Sequence, residues 1–378
     1  MKYMGSKRSM LLNGLGEALA SALPNVERFV DLFSGSGAVA NHVAQHYTLP
    51  VHAYDLQHFA AYLARATVAR TSTTRSDRWA EKWIIRGLFL VQKSPLYDHA
   101  STIQSKILDG AGTSIAIEAR DLCTSAPEGS LTKAYGGYYF SPLQVLLIDA
   151  LRASLPRDPA REQVAIAALI QTASKAAASP GHTAQPFKPN LTAGPYLLGA
   201  WRRDLTAWIL DSADRIDKQH AHIAGAAEVQ DAAIAASSLK EGDLAFVDPP
   251  YSSVHYSRFY HVLESLARGE VGDVSGSGRY PHIDQRPSSD YSTTTKAASA
   301  LAQLFKNIGN TGAQAIVTFP ASEASNGLSG DLVKEIAADH FVIAEAKVTS
   351  RFSTLGGNRK HREARQDASE LILTLTPR

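Results

Sequence analysis

The sequence predicts an α/β fold with a mixed sheet whose last two strands form an antiparallel hairpin, and three observations carry that expectation. A short apolar strand, residues 28–33, runs straight into Ser34-Gly35-Ser36-Gly37, and a helix over residues 38–45 follows at once. A second strand, residues 50–55, ends on the acidic Asp55. A third, residues 243–247, runs into Asp248-Pro249-Pro250-Tyr251.

A strand, a glycine turn and a helix in that order form the first half of a nucleotide-binding crossover. Gly35 and Gly37 carry no Cβ and tolerate positive φ, so backbone can come close to a ligand there. An acid about 20 residues beyond such a loop is where a ribose hydroxyl is bound in nucleotide folds, and the spacing from Gly35 to Asp55 fits. Two prolines in succession stop the third strand at Asp248, because proline donates no ladder hydrogen bond and pushes the residue before it out of helical geometry. One carboxylate, free carbonyls and the Tyr251 ring are left beyond a strand end, the place where ligands bind in open α/β sheets. A packed, strand-ending turn is the plainer alternative for Tyr251.

Residues 56–239 read differently. Alanine-rich helical patterns cover residues 59–71, 143–155 and 161–178, with loops around Gly110 and Ser125 and a Pro- and Gly-broken stretch over residues 179–189. A long insertion of this kind predicts an added, mostly helical domain over residues 61–224, between the two parts of a sheet domain, residues 1–60 and 225–378. Short strands return at residues 228–232 and 315–319, then at 341–348 and 370–375. The last two flank a loop carrying Arg351, Arg359, Lys360, Arg362 and Arg365. Such a cluster suits phosphate contacts, although most charge runs are solvated tips.

The bulk figures agree. With 378 residues, 44% hydrophobic and 20% charged, the chain has room for two domains and a large core. A net charge of +2 means that any nucleic-acid surface must come from clustering. No apolar run approaches the ~20 residues that span a membrane, and Met1 is followed by no apolar signal segment. The single Cys123 excludes an internal disulfide and a cysteine zinc cluster; it fits a reducing, cytoplasmic location, with no metal expected.

The ordered pieces, with Tyr3 to Lys7 at the start, resemble the Dam-like adenine-specific (N6) DNA methyltransferases. That class opens on an aromatic-x-Gly-Gly/Ser-Lys segment, continues with Phe-x-Gly-x-Gly and a target-recognition insertion, and closes on Asp-Pro-Pro-Tyr. Here these are Tyr3 to Lys7, Phe33 to Gly37, the region after Asp55, and Asp248 to Tyr251. The resemblance implies a Rossmann-like class I domain using S-adenosylmethionine and releasing S-adenosylhomocysteine. It implies double-stranded DNA as substrate, with a cognate restriction endonuclease or defence-system subunits as further partners and no membrane. Cofactor contacts would come from Tyr3, Lys7, Asp31, Phe33, Gly35, Gly37, Asp55 and Asp248, with Lys7 facing the donor's carboxylate. Asp231 would hold the donor's adenine amine or cap a helix. His255, Tyr256 and Arg258 would line the target strand or pack beneath the turn, and Arg351, Arg359, Lys360 and Arg362 would meet phosphate. Val254-His255, Thr318-Phe319-Pro320 and the segment around Asn326 depart from the family pattern and bear on target choice.

The chemistry of the turn stands without the family. Adenine's exocyclic amine is a poor nucleophile because its lone pair is delocalised into the ring. Asp248 and the Pro249 carbonyl, accepting its two N–H bonds, would favour the attacking geometry and stabilise developing positive charge. Pro250 stiffens the turn, and Tyr251 offers a face on which a flipped base can stack. The rival expectations are N4-cytosine methylation, an RNA substrate, and a non-catalytic DNA-binding subunit of a defence complex.

Overall fold

The structure, a computed structural model, describes residues 7–74, 77–351 and 367–378. Its described strands are β1 (Arg28–Asp31), β2 (Val51–Asp55), β3 (Ala226–Val229), β4 (Asp243–Val247), β5 (Val274–Ser275), β6 (Tyr280–Pro281), β7 (Gln314–Pro320), β8 (Phe341–Arg351) and β9 (Asp367–Pro377). Seven of them form one sheet in the order β3-β2-β1-β4-β7-β9-β8. The pairs β3-β2, β2-β1, β1-β4 and β4-β7 are parallel. β9 runs antiparallel to both β7 and β8. The mixed sheet and its terminal hairpin are thus as expected from the sequence.

Burial explains why these runs are strands. All five residues of β4 are buried, as parallel strands covered on both faces must be. Phe29, Leu244, Phe246 and Ile316 pack on one face with Leu15, Val39, Val43 and Val68 from the flanking helices. Val30, Ala245, Val247 and Val317 pack on the other with Leu301, Phe305 and Val333. β1 and β4 are also pinned by charge: Arg28 and Asp243 lie opposite each other, and the guanidinium engages both carboxylate oxygens.

The expected strand at residues 228–232 is corrected. β3 covers Ala226–Val229, because Asp231 is already the cap of the helix Ala232–Ala236. Its Oδ1 accepts from the backbone N–H of Ala233 at 2.8 Å and of Ile234 at 3.4 Å. A side chain that satisfies the first amides of a helix ends the strand before it.

The described chain divides into two compact units: Thr73–Lys218 with Ser257–Arg286, and the sheet with the remaining residues. The division differs from the expected 61–224. The helix His58–Val68 belongs to the sheet unit, since Ala64 and Val68 lie in its core. Residues 257–286 belong to the helical unit, where His261 lies 5.7 Å from the Tyr135 ring and 5.9 Å from that of Tyr139. That unit is built mainly of helices, among them Trp79–Gln92, Pro142–Ala153 and Pro159–Ala176, with the β5-β6 ribbon as a small addition. Ser141 and Gln144 close a capping box at the start of the second of these. Among the described residues no helix is long and apolar enough to cross a membrane, and no group of His, Cys, Asp and Glu could hold a metal ion.

Candidate active site

In the sheet unit the strand order reverses between β1 and β4, and the crevice beyond their carboxyl ends is the usual ligand site of such sheets. Five of the expected residues meet there. Lys7, Asp31, Phe33, Gly35 and Asp248 line one narrow cavity of about 20 Å³, together with Ser34, Ser36 and Phe246.

The glycine loop is built as its residue types demand. Gly35 and Gly37 have φ of +48° and +72°. A Cβ on Gly37 would also come within 3.3 Å of the Ala64 backbone, so both the dihedral and the packing call for glycine. Asp55, at the end of β2, accepts from Gly35 N at 2.9 Å through Oδ2 and from Gln57 N at 2.9 Å through Oδ1. The loop and the acid expected to bind a ribose are therefore one hydrogen-bonded assembly. Ser34 Oγ is buried in this loop with no hydrogen-bond partner among the described residues.

Asp248 sits at the end of β4 with its two oxygens in different surroundings. Oδ1 accepts from the Lys7 ammonium at 3.0 Å and from Thr318 Oγ1 at 2.9 Å, Thr318 being near the end of β7. Lys7 Nζ also donates to Glu370 Oε2 at 3.2 Å and stands 5.7 Å from the centre of the Tyr251 ring. Burial pushes the Asp248 carboxyl above the usual carboxylate range, and the ammonium of Lys7 opposes that push. Burial alone would lower the pKa of Lys7, but the Asp248 and Glu370 carboxylates outweigh it, and the lysine is held above its ordinary value. Among the described residues no cation pairs with Asp31. Burial, aided by the Asp248 and Asp55 charges, raises its carboxyl to about 8. At neutral pH Asp31 is thus mainly protonated, and Lys7 is the cation set against Asp248 and Glu370.

The turn after Asp248 is held from outside. Asn326 Nδ2 donates to the Pro250 carbonyl at 2.8 Å and to the Tyr291 carbonyl at 3.0 Å. Ser325 Oγ accepts from Ser253 N at 3.1 Å. Tyr291 packs edge-on against Phe33, with ring centres 5.0 Å apart, at the glycine loop. Tyr251 is half-buried and packs against the core on the Val247 face of the sheet.

Asp231 caps its helix through Oδ1, as one of its two expected roles required. His255 and Tyr256 belong to the sheet unit, and His255 Nδ1 accepts from Ser289 N at 3.3 Å. Arg258 belongs to the helical unit, where its guanidinium covers the Tyr280 ring at 5.1 Å. Arg351 is the last residue of β8. Tyr3, Arg359, Lys360 and Arg362 lie outside the described residues.

Glu370, Thr318 and Asn326 were not expected as site residues. Glu370 had a signal: it is an acid heading an apolar strand, and a buried polar side chain is the informative kind. Thr318 was visible only as a departure at a strand end, and Asn326 sits in a loop without periodicity.

Fold and site define the class first: a Rossmann-like α/β sheet carrying an Asp-Pro-Pro-Tyr turn at its switch point. Compared with known proteins, residues 3–83 match the model of the D12 class N6 adenine-specific DNA methyltransferase family. Over 322 residues, 82% of this chain and 43% of the relative, the chain is 24% identical to modification methylase StsI of Streptococcus sanguinis. It is 25% identical to the type II methyltransferase M.FokI of Planomicrobium okeanokoites over 301 residues, 76% of this chain and 40% of that protein. With modification methylase LlaI of Lactococcus lactis subsp. lactis it shares 33% identity over 126 residues, 32% of this chain and 19% of that protein. The chain spans less than half the length of each of these relatives. The resemblance drawn from the motifs is borne out by family and relatives alike.

Proposed function

We propose that the chain transfers a methyl group from S-adenosylmethionine to the N6 amine of an adenine flipped out of double-stranded DNA. The observation that carries this is the division of labour at Asp248. Lys7 and Thr318 both engage Oδ1, which leaves Oδ2 to accept from an incoming amine. Asn326 engages the Pro250 carbonyl, which leaves that of Pro249 as the second acceptor. Two acceptors at a rigid turn suit an amine with two N–H bonds, and drawing on both directs its lone pair outward.

The lining of the cavity offers the cofactor polar contacts. Ser34 Oγ, buried without a partner among the described residues, offers a hydrogen bond to a polar ligand beside the glycine backbone. Gly35, Gly37 and Asp55 would hold the ribose end, Asp231 Oδ2 the adenine amine, and the remaining N–H of Lys7 the carboxylate. The bound cofactor supplies an electrophilic methyl on a sulfonium. The chain's own part is to orient the amine and carry its charge. When the amine becomes tetravalent its N–H turns acidic, and Asp248 Oδ2, already its hydrogen-bond partner, takes the proton. Asp248 is not needed as a base beforehand. Tyr251 supplies a stacking face, and Arg258 with the cations after β8 would meet phosphate.

The relatives' names as modification methylases support self-marking of DNA in restriction or defence as the setting. Incubation with methyl-labelled S-adenosylmethionine and unmethylated DNA, followed by digestion to nucleosides, tests the proposal. The expected product is labelled N6-methyladenine. Label found only in N4-methylcytosine, or no label although the donor binds, would overturn it.

A further inference from the structure

We propose that Asn326 is a positioning residue that sets the direction of the acceptor turn, an inference that rests on amine transfer at Asp248 and adds a residue to it. Pro249 and Pro250 fix their own φ but have no backbone N–H, so the hydrogen bonds that hold this part of the turn are made to its carbonyls. Asn326 is such a donor. It is fully buried, and each polar group of its amide is used: Nδ2 donates to Pro250 O at 2.8 Å and to Tyr291 O at 3.0 Å, and Oδ1 accepts from Leu328 N at 3.3 Å.

The amide is itself held from both sides by a tight loop beyond β7. Ala324 N donates to Leu328 O at 2.8 Å and Gly327 N to Ala324 O at 3.0 Å. Gly327 closes the loop at a φ of +84°. By occupying the Pro250 carbonyl, Asn326 leaves that of Pro249 for the substrate. By occupying Tyr291 as well, it ties the turn to the residue packed on Phe33 of the glycine loop. One side chain thereby relates the acceptor side of the reaction to the donor side.

Asn326→Leu, with the same number of side-chain heavy atoms and the same branching as asparagine, removes both donors and the acceptor. Single-turnover transfer from saturating labelled S-adenosylmethionine to unmethylated DNA of mixed sequence is measured beside donor Kd and thermal midpoint. The expected result is a rate constant lower by about 100-fold, the loss that a misplacement of ~1 Å produces, with donor Kd within about threefold of wild type. A merely structural role would lower the midpoint without separating rate from donor affinity. Should Asn326→Leu fail to fold, Gly327→Ala takes its place. It keeps Asn326 but strains the loop, where a Cβ would meet Thr294 Cγ2 at 3.2 Å, and the expected rate is about 10-fold lower. A folded variant with the wild-type rate overturns the inference alone. Wild-type protein that transfers no label overturns the underlying function, and this inference with it.

Discussion

Replacing Lys7 by methionine keeps the unbranched side chain up to the Cε position and removes its charge. In the wild type the ammonium lies 3.0 Å from Asp248 and 3.2 Å from Glu370, and its side chain is only 4% exposed. Removing one partner of a buried pair costs about 3–5 kcal/mol, because the charges left behind have lost their solvation without compensation. Lys7→Met takes the ammonium away from Asp248, and the cheapest relief is for that carboxyl to take up a proton. Burial already raises Asp248 and Lys7 is what opposes it, so the substitution moves its pKa further up. Transfer needs Asp248 ionised, so the acid limb of the rate moves to higher pH. The sign for stability follows from the same shift: the variant's deficit is largest at high pH and shrinks as pH falls and a carboxyl protonates. The assay is a single-turnover pH profile at saturating donor, paired with melts across the same range. An acid limb unmoved from wild type, in a folded protein, would refute the coupling of Lys7 to Asp248.

Asp31→Asn tests the other buried carboxyl. With its pKa raised to about 8, Asp31 contributes stability that is fully present below its unfolded value and lost as pH rises through 8. The variant's Tm should therefore gain on wild type between pH 5 and 9, and a difference constant across that range would contradict the assignment. Asp55→Asn should weaken donor binding about 10-fold, since it disturbs both the hold on Gly35 N and the proposed ribose acceptor. Isothermal titration with S-adenosylmethionine measures this, and unchanged affinity would remove Asp55 from the site.

What could be read from the sequence was local. β1, the glycine turn, its helix and Asp55 lie within one crossover, and each residue type carries its reason in its own dihedral or burial. The Asp248 turn is local in the same sense, because two prolines dictate its shape. The terminal hairpin followed from two apolar runs near the end of the chain. What stayed hidden depends on distance or on competition. Lys7 and Glu370 are separated by 363 positions, and it is the fold, with Glu370 in β9 between β7 and β8, that brings them together. β3 was misplaced because an aspartate next to an apolar run can belong to a strand or cap a helix, and the cap prevailed. The unit boundary was misjudged at residues 257–286, since the aromatic packing around His261 leaves no periodic mark. Asn326 acts through a buried amide in an irregular loop, a role that residue type alone does not reveal.

The central claim is that Asp248 orients a DNA adenine amine for methyl transfer. The measurement that tests it most directly is the nucleoside content of DNA treated with wild-type protein and with Asp248→Ala, each first shown to bind the donor. The expected result is N6-methyladenine from the wild type and none from Asp248→Ala, with donor affinity within about threefold, since the donor's other contacts remain. N6-methyladenine formed at the wild-type rate by Asp248→Ala would contradict it.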